Sequence, residues 1–134
     1  MALMEWNASL STGIKRFDND HRRLVDMVNN LHDAMKAGMG NHVVGEILDQ
    51  LVNYTGQHFA SEESQMRLHN YPEYMAHKKL HDALVAQVAD IRKQFVQGTA
   101  LPSNLLEFLK KWLTLHIMGE DKKYGPFLAS KGLM

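Results

Sequence analysis

The chain has 134 residues, 45% of them hydrophobic and 22% charged, with 15 basic and 15 acidic side chains. That is one ordinary domain with material for a core, not a disordered tail, and its balanced charge gives no electrostatic case for a nucleic-acid or membrane partner. Cysteine is absent, which excludes disulfides, thiolate metal sites and a cysteine nucleophile.

Residues 1–17, with Leu3, Met4, Trp6 and Ile14, read as an arm that packs across the rest, because disorder would leave Trp6 in water. The arm has no basic start and no long apolar run, so no signal peptide is read and a cytoplasmic location is expected. No stretch approaches the ~20 apolar residues of a membrane helix.

Helical periodicity then begins. Residues 18–37 carry the stripe Phe17, His21, Leu24, Val28, Leu31 and Met35, closed by Gly38 and Gly40. Residues 41–69 follow from Asn41 with Val44, Leu48, Leu51, Thr55, His58, Glu62 and Met66 on one face. A third helix over 72–97 opens at Pro72, which suits a first turn, and aligns Tyr74, His77, His81, Leu84, Val88, Ile91 and Phe95. The fourth, over 103–118, follows Pro102-Ser103 and turns Leu105, Leu109, Trp112 or Leu113, and His116 inward, with Gly119 as its stop. Residues 119–134, holding Tyr124, Pro126 and Phe127, read as a tail. No window alternates as a strand would. The expected fold is all-α, a single-domain antiparallel up-down-up-down four-helix bundle with an N-terminal arm.

The inward stripes carry polar groups that a core does not tolerate singly. His21, His58, Glu62, His77, His81 and His116 all face in, and Asp121 lies five residues past His116. A buried unpaired carboxylate costs several kcal/mol against a total stability of about 5–15 kcal/mol. No inward lysine or arginine neutralises Glu62, and crowded imidazoles would repel if protonated. A bound cation removes both problems. His58 with Glu62, and His77 with His81, are i, i+4 pairs that present adjacent donors. Five imidazoles and two carboxylates exceed the four donors of a structural zinc site and suit two six-coordinate ions with bridging carboxylates. Imidazole and carboxylate without thiolate point to iron ahead of manganese or zinc. His32, His42 and His69 fall off the stripes and read as surface, as does Glu63.

The set His21, His58-Phe59-Ala60-Ser61-Glu62, His77-Lys78-Lys79-Leu80-His81 and His116-Ile117-Met118-Gly119-Glu120-Asp121 resembles the hemerythrin family, within it the single-domain bacteriohemerythrins. The resemblance runs from Trp6-Asn7 to Lys123-Tyr124. It implies two non-haem irons bridged by Glu62, Asp121 and an oxo or hydroxo group. His77, His81 and His116 would complete one iron; His21 and His58 would serve the other and leave a position for dioxygen. The implied function is reversible dioxygen binding by a carrier or store that is not an enzyme. The alternatives are a di-iron oxidase or peroxidase, a nitric-oxide-handling enzyme, or an O2 or redox sensor on the same scaffold. The helices lack the Glu-x-x-His motifs of ferritin-like oxidase sites, which favours binding. Phe59, Trp112, Leu113, Leu115 and Ile117 are expected to wall a dry oxygen pocket, with an entry path as the alternative place for Leu115. A protein that consumes the oxygen is an expected partner.

Overall fold

Asp18 and the arm build the first helix together. The Asp18 carboxylate accepts hydrogen bonds from Ser11 Oγ at 2.6 Å, and from Thr12 N and Thr12 Oγ1 at 2.8 Å each. An acidic side chain in a first helical turn is also favoured by the helix dipole. The computed structural model describes residues 3–98, 101 and 104–133, so the expected helix opening at Pro102-Ser103 lies outside the described residues. Helix α1 spans Lys15–Lys36, α2 Asn41–Leu68, α3 Tyr74–Val96, α4 Leu105–His116 and α5 Lys122–Ser130. Helix α1 thus begins inside the expected arm, and Pro72 lies in the turn before α3 rather than in its first helical turn. The arm packs as expected: Asn29 exchanges two hydrogen bonds with the Met4 backbone, at 2.8 and 2.9 Å, and Arg22 lies over the Trp6 ring.

The fourth helix departs from its expected end. Gly119 does not stop it; the chain passes through one π-helical turn, Ile117–Asp121, and continues as α5. Expected tail residues 119–130 are therefore helical. Gly38 and Gly98 do stand at helix ends, with φ of 70° and 101° that favour glycine. Gly119 adopts no such φ, so a glycine that looked like a terminator is only a helical residue on the solvent side.

Buried apolar side chains form two clusters. The larger holds Leu24, Val28, Leu48, Leu51, Leu84, Val88, Leu105, Leu109 and Leu113; the smaller holds Ile14, Phe17, Met66, Tyr71, Tyr124 and Leu128. On α1 and α2 the inward polar residues fall between members of the two clusters: His21 between Phe17 and Leu24, His58 and Glu62 between Leu51 and Met66. The bundle is an apolar solid with one polar layer across it.

The arm also clasps α5. A Cβ added at Gly125 would lie 1.9 Å from the Thr12 carbonyl oxygen, with backbone rather than a flexible side-chain tip in the way. Gly125→Ala is expected to pry the arm from α5 and lower stability by about 1–3 kcal/mol, a loss that thermal melting of the purified variant would read directly.

Candidate metal centre

Helix α1 supplies His21, α2 His58 and Glu62, α3 His77 and His81, α4 His116, and the π turn Asp121. None of the seven is more than 6% exposed. The π turn is what admits Asp121. At 3.6 residues per turn, positions five apart are about 140° out of phase. One extra residue per turn, the i, i+5 closure of a π turn, brings Asp121 back beneath His116. Asp121 Oδ1 then lies 3.0 Å from His116 Nε2 and 2.8 Å from His77 Nε2, while Oδ2 lies 3.1 Å from His21 Nε2.

Glu62 divides its oxygens in the same way. Oε2 is 3.1 Å from His21 Nε2 and 3.2 Å from His58 Nε2; Oε1 is 3.3 Å from His81 Nε2. The donors therefore fall into two groups able to hold a cation: Glu62, His77, His81, His116 and Asp121, and His21, His58 and Glu62. Within the first, His81 and His116 Nε2 approach to 3.0 Å, and His116 and His77 Nε2 to 3.1 Å. Such spacings match the edge of an octahedron with bonds of about 2.1 Å, roughly 3 Å. His58 Nε2, Glu62 Oε1 and Asp121 Oδ1 are buried without a hydrogen-bond partner. Buried lone pairs aimed at one another call for a cation, so these residues fit the ions their pattern implies.

Two carboxylates outside the seven orient the imidazoles. Asp20 Oδ2 accepts from His58 Nδ1 at 2.9 Å, and Glu63 Oε2 accepts from His81 Nδ1 at 2.9 Å. A hydrogen held on Nδ1 leaves the Nε2 lone pair facing inward. Asp20 is held in turn by the Tyr54 hydroxyl at 2.8 Å. Glu63 is thus not plain surface: its side chain is only 17% exposed. The sequence stripes missed both acids because they sit one step off the inward face. The need of each ligand imidazole for an acceptor was the signal that could have found them.

Phe59 stacks on the His81 ring at 3.7 Å between centroids, and Trp112 on the His116 ring at 4.3 Å. Both, with Leu113, line a cavity of about 40 Å³ whose other walls include Leu24, Leu51, Thr55 and Leu109. Leu115 is not a wall of this cavity; it is 60% exposed, because one residue before His116 it is turned about 100° round α4 toward solvent. Ile117 is fully buried in the larger apolar cluster but is not a wall of this cavity. His32, His42 and His69 join neither donor group. His42 is exposed, whereas His32 and His69 are half-buried.

Without a metal the site titrates as an ion-pair cluster. Burial opposes the His21 imidazolium, yet Asp121 and Glu62 overcome it and push the pKa up to about 10. His81 is likewise opposed by burial and pushed up to about 9 by Glu62 and Glu63. Glu62 is held well below the usual carboxylate range: burial would raise it, but His58, His21 and His81 prevail. Groups raised above their ordinary value of 6.5 stabilise the fold below that pH and lose the contribution as pH climbs through 9 to 10. The depressed carboxylate acts oppositely, losing its contribution as pH falls below its ordinary value of 4.5. The metal-free protein is therefore expected to be most stable near pH 5–6.5 and to melt at progressively lower temperature from about pH 7 to 10. Metal affinity should move the other way, since binding displaces those protons. Thermal melts with and without a chelator across that range test both slopes.

A bundle crossed by one layer of five imidazoles and two carboxylates belongs to the class of helical proteins that hold a dinuclear metal cluster in the core. The comparisons carry this further. The hemerythrin HHE cation binding domain family matches residues 12–128. A bacteriohemerythrin of Stenotrophomonas maltophilia (strain R551-3) is 40% identical over 124 residues, covering 92% of this chain and 80% of the relative. A bacteriohemerythrin of Methylococcus capsulatus (strain Bath) is 40% identical over 132 residues, covering 97% of this chain and all of the relative. A crystal structure of wild-type hemerythrin superposes with a TM-score of 0.89 at 40% identity, covering 96% of this chain and 99% of that one. The chain belongs to the hemerythrin family.

Proposed function

We propose that the seven buried donors hold two iron ions and that the chain binds dioxygen there reversibly, as a carrier or store. Dioxygen binding at a di-iron site is the function that family membership supports. The observation that carries the residue assignments is the way each carboxylate divides its two oxygens between the donor groups. On this reading Glu62 and Asp121 bridge, together with a solvent-derived oxo or hydroxo group. His77, His81 and His116 serve one ion, and His21 and His58 the other, which has one donor fewer. When bound, the irons supply the electrons and the open coordination position that dioxygen requires.

The protein's own residues do the rest. Asp20 and Glu63 fix the imidazoles of His58 and His81 with Nε2 inward. Phe59, Trp112 and Leu113 keep water and protons from the site. The cavity is walled by apolar side chains, Leu24, Leu51, Phe59, Leu109, Trp112 and Leu113 among them, which suits a small apolar ligand such as dioxygen better than a polar organic substrate. Among the described residues no helix is long and apolar enough to cross a membrane. A cytoplasmic site of action and an oxygen-consuming partner complete the proposal.

The test is an optical spectrum of the iron-loaded, anaerobically reduced protein before and after O2. A visible band that appears with O2 and vanishes under vacuum is expected. Rapid conversion to the diferric form with no recoverable O2 would overturn the carrier reading.

A further inference from the structure

Tyr124 has no part in the assignments above, yet it is a fully buried side chain and its hydroxyl donates to Glu62 Oε2. The same π turn that brings Asp121 inward places Tyr124 one helical turn further along the same face. Phe17 meets its ring edge-on at 5.5 Å between centroids, and the His77 ring lies at 5.7 Å. Ile14, Met66, Tyr71 and Leu128 complete its cluster, and the hydroxyl is held against one acceptor.

The bond is not symmetric across the site. Oε2 is the Glu62 oxygen 3.1 Å from His21 and 3.2 Å from His58; the oxygen that faces His81 receives nothing from Tyr124. A hydrogen bond to an anionic oxygen withdraws charge from it and makes it a weaker donor to whatever it ligates. Weakening an anionic donor therefore costs a ferric ion more stabilisation than a ferrous one, because the attraction scales with the ion's charge.

We propose that Tyr124 is a positioning residue that tunes one half of the centre: its buried hydroxyl, aimed at the Glu62 oxygen facing His21 and His58, favours the reduced, oxygen-binding state. The bond also pins the Glu62 carboxylate, so that it cannot swing toward one ion alone. This rests on the di-iron reading above, and metal analysis of the unaltered chain tests that reading separately: fewer than two irons per chain would remove it whatever Tyr124 does.

The experiment is a redox titration of iron-loaded Tyr124→Phe against mediators. At a fixed potential the ratio of reduced to oxidised protein should fall about tenfold, and loss of the reduced form in air should quicken. Site-specific Tyr124→3-fluorotyrosine, a stronger donor of nearly the same shape, should move the ratio the opposite way. It also decides the matter should the phenylalanine variant fail to hold iron. A purely structural tyrosine would lower the melting temperature on truncation and leave the ratio in place. Unchanged ratios in iron-loaded variants, or a fluorinated variant shifted toward the oxidised form, would overturn the proposal.

Discussion

Glu62→Ala is expected to yield a chain that retains almost no iron and melts roughly 10–20 °C below the parent, a shift in proportion to the few kcal/mol at stake. The expectation follows from where Glu62 stands. It is wholly buried, and both candidate donor groups contain it. Its carboxylate also faces the Nε2 atoms of His21, His58 and His81 and accepts from Tyr124. Removing one partner of a buried charge cluster leaves the others uncompensated, at about 3–5 kcal/mol. Glu62→Gln separates the two effects, since it keeps the shape and a hydrogen-bond acceptor while removing the charge. It should fold better than the alanine variant and still bind little iron. Two irons per chain in Glu62→Ala would refute the assignment of a shared ligand.

The donor set was legible in the sequence because helical spacing and burial act together. His58 with Glu62, and His77 with His81, sit on the same stripes as leucines and valines, so a reader of periodicity must place them inside. Asp121 was different. Its phase in an ideal α-helix points away from His116; it counted as a donor only for its closeness in sequence to His116, and the resemblance to the hemerythrin family gave it its bridging role. The π turn that resolves the conflict left no local sign in the sequence. Gly119, which suggested a stop, sits on its solvent side in ordinary helical conformation. The same misreading hid α5, and with it the approach of Tyr124 to Glu62. A helix whose metal-bearing face demands one residue too many for its period is the place to expect such a turn. The orienting acids escaped for another reason. Asp20 acts across helices on His58, and Glu63 on His81, and no spacing within one helix encodes a contact of that kind.

Those two acids separate the halves of the centre experimentally. Asp20 touches only His58 among the seven donors, and Glu63 only His81. Loss of such a carboxylate frees the imidazole to rotate or to exchange its tautomer, and typically weakens metal binding about 10–100-fold. On the proposed assignment, Asp20→Ala is therefore expected to loosen the ion given to His21 and His58, and Glu63→Ala the ion given to His77, His81 and His116. In a chelator titration each variant should release one iron early and the second later, whereas the parent should hold both. The side chains of Asp20 and Glu63 are 28% and 17% exposed, so alanine at either place leaves the core intact and its effect on melting should be small. The oxygen response supplies the asymmetry. If His21 and His58 serve the ion that receives dioxygen, Asp20→Ala should lose the reversible optical band at chelator concentrations where Glu63→Ala still retains it. The opposite order would place the open position on the three-histidine side and reverse the roles of the two halves.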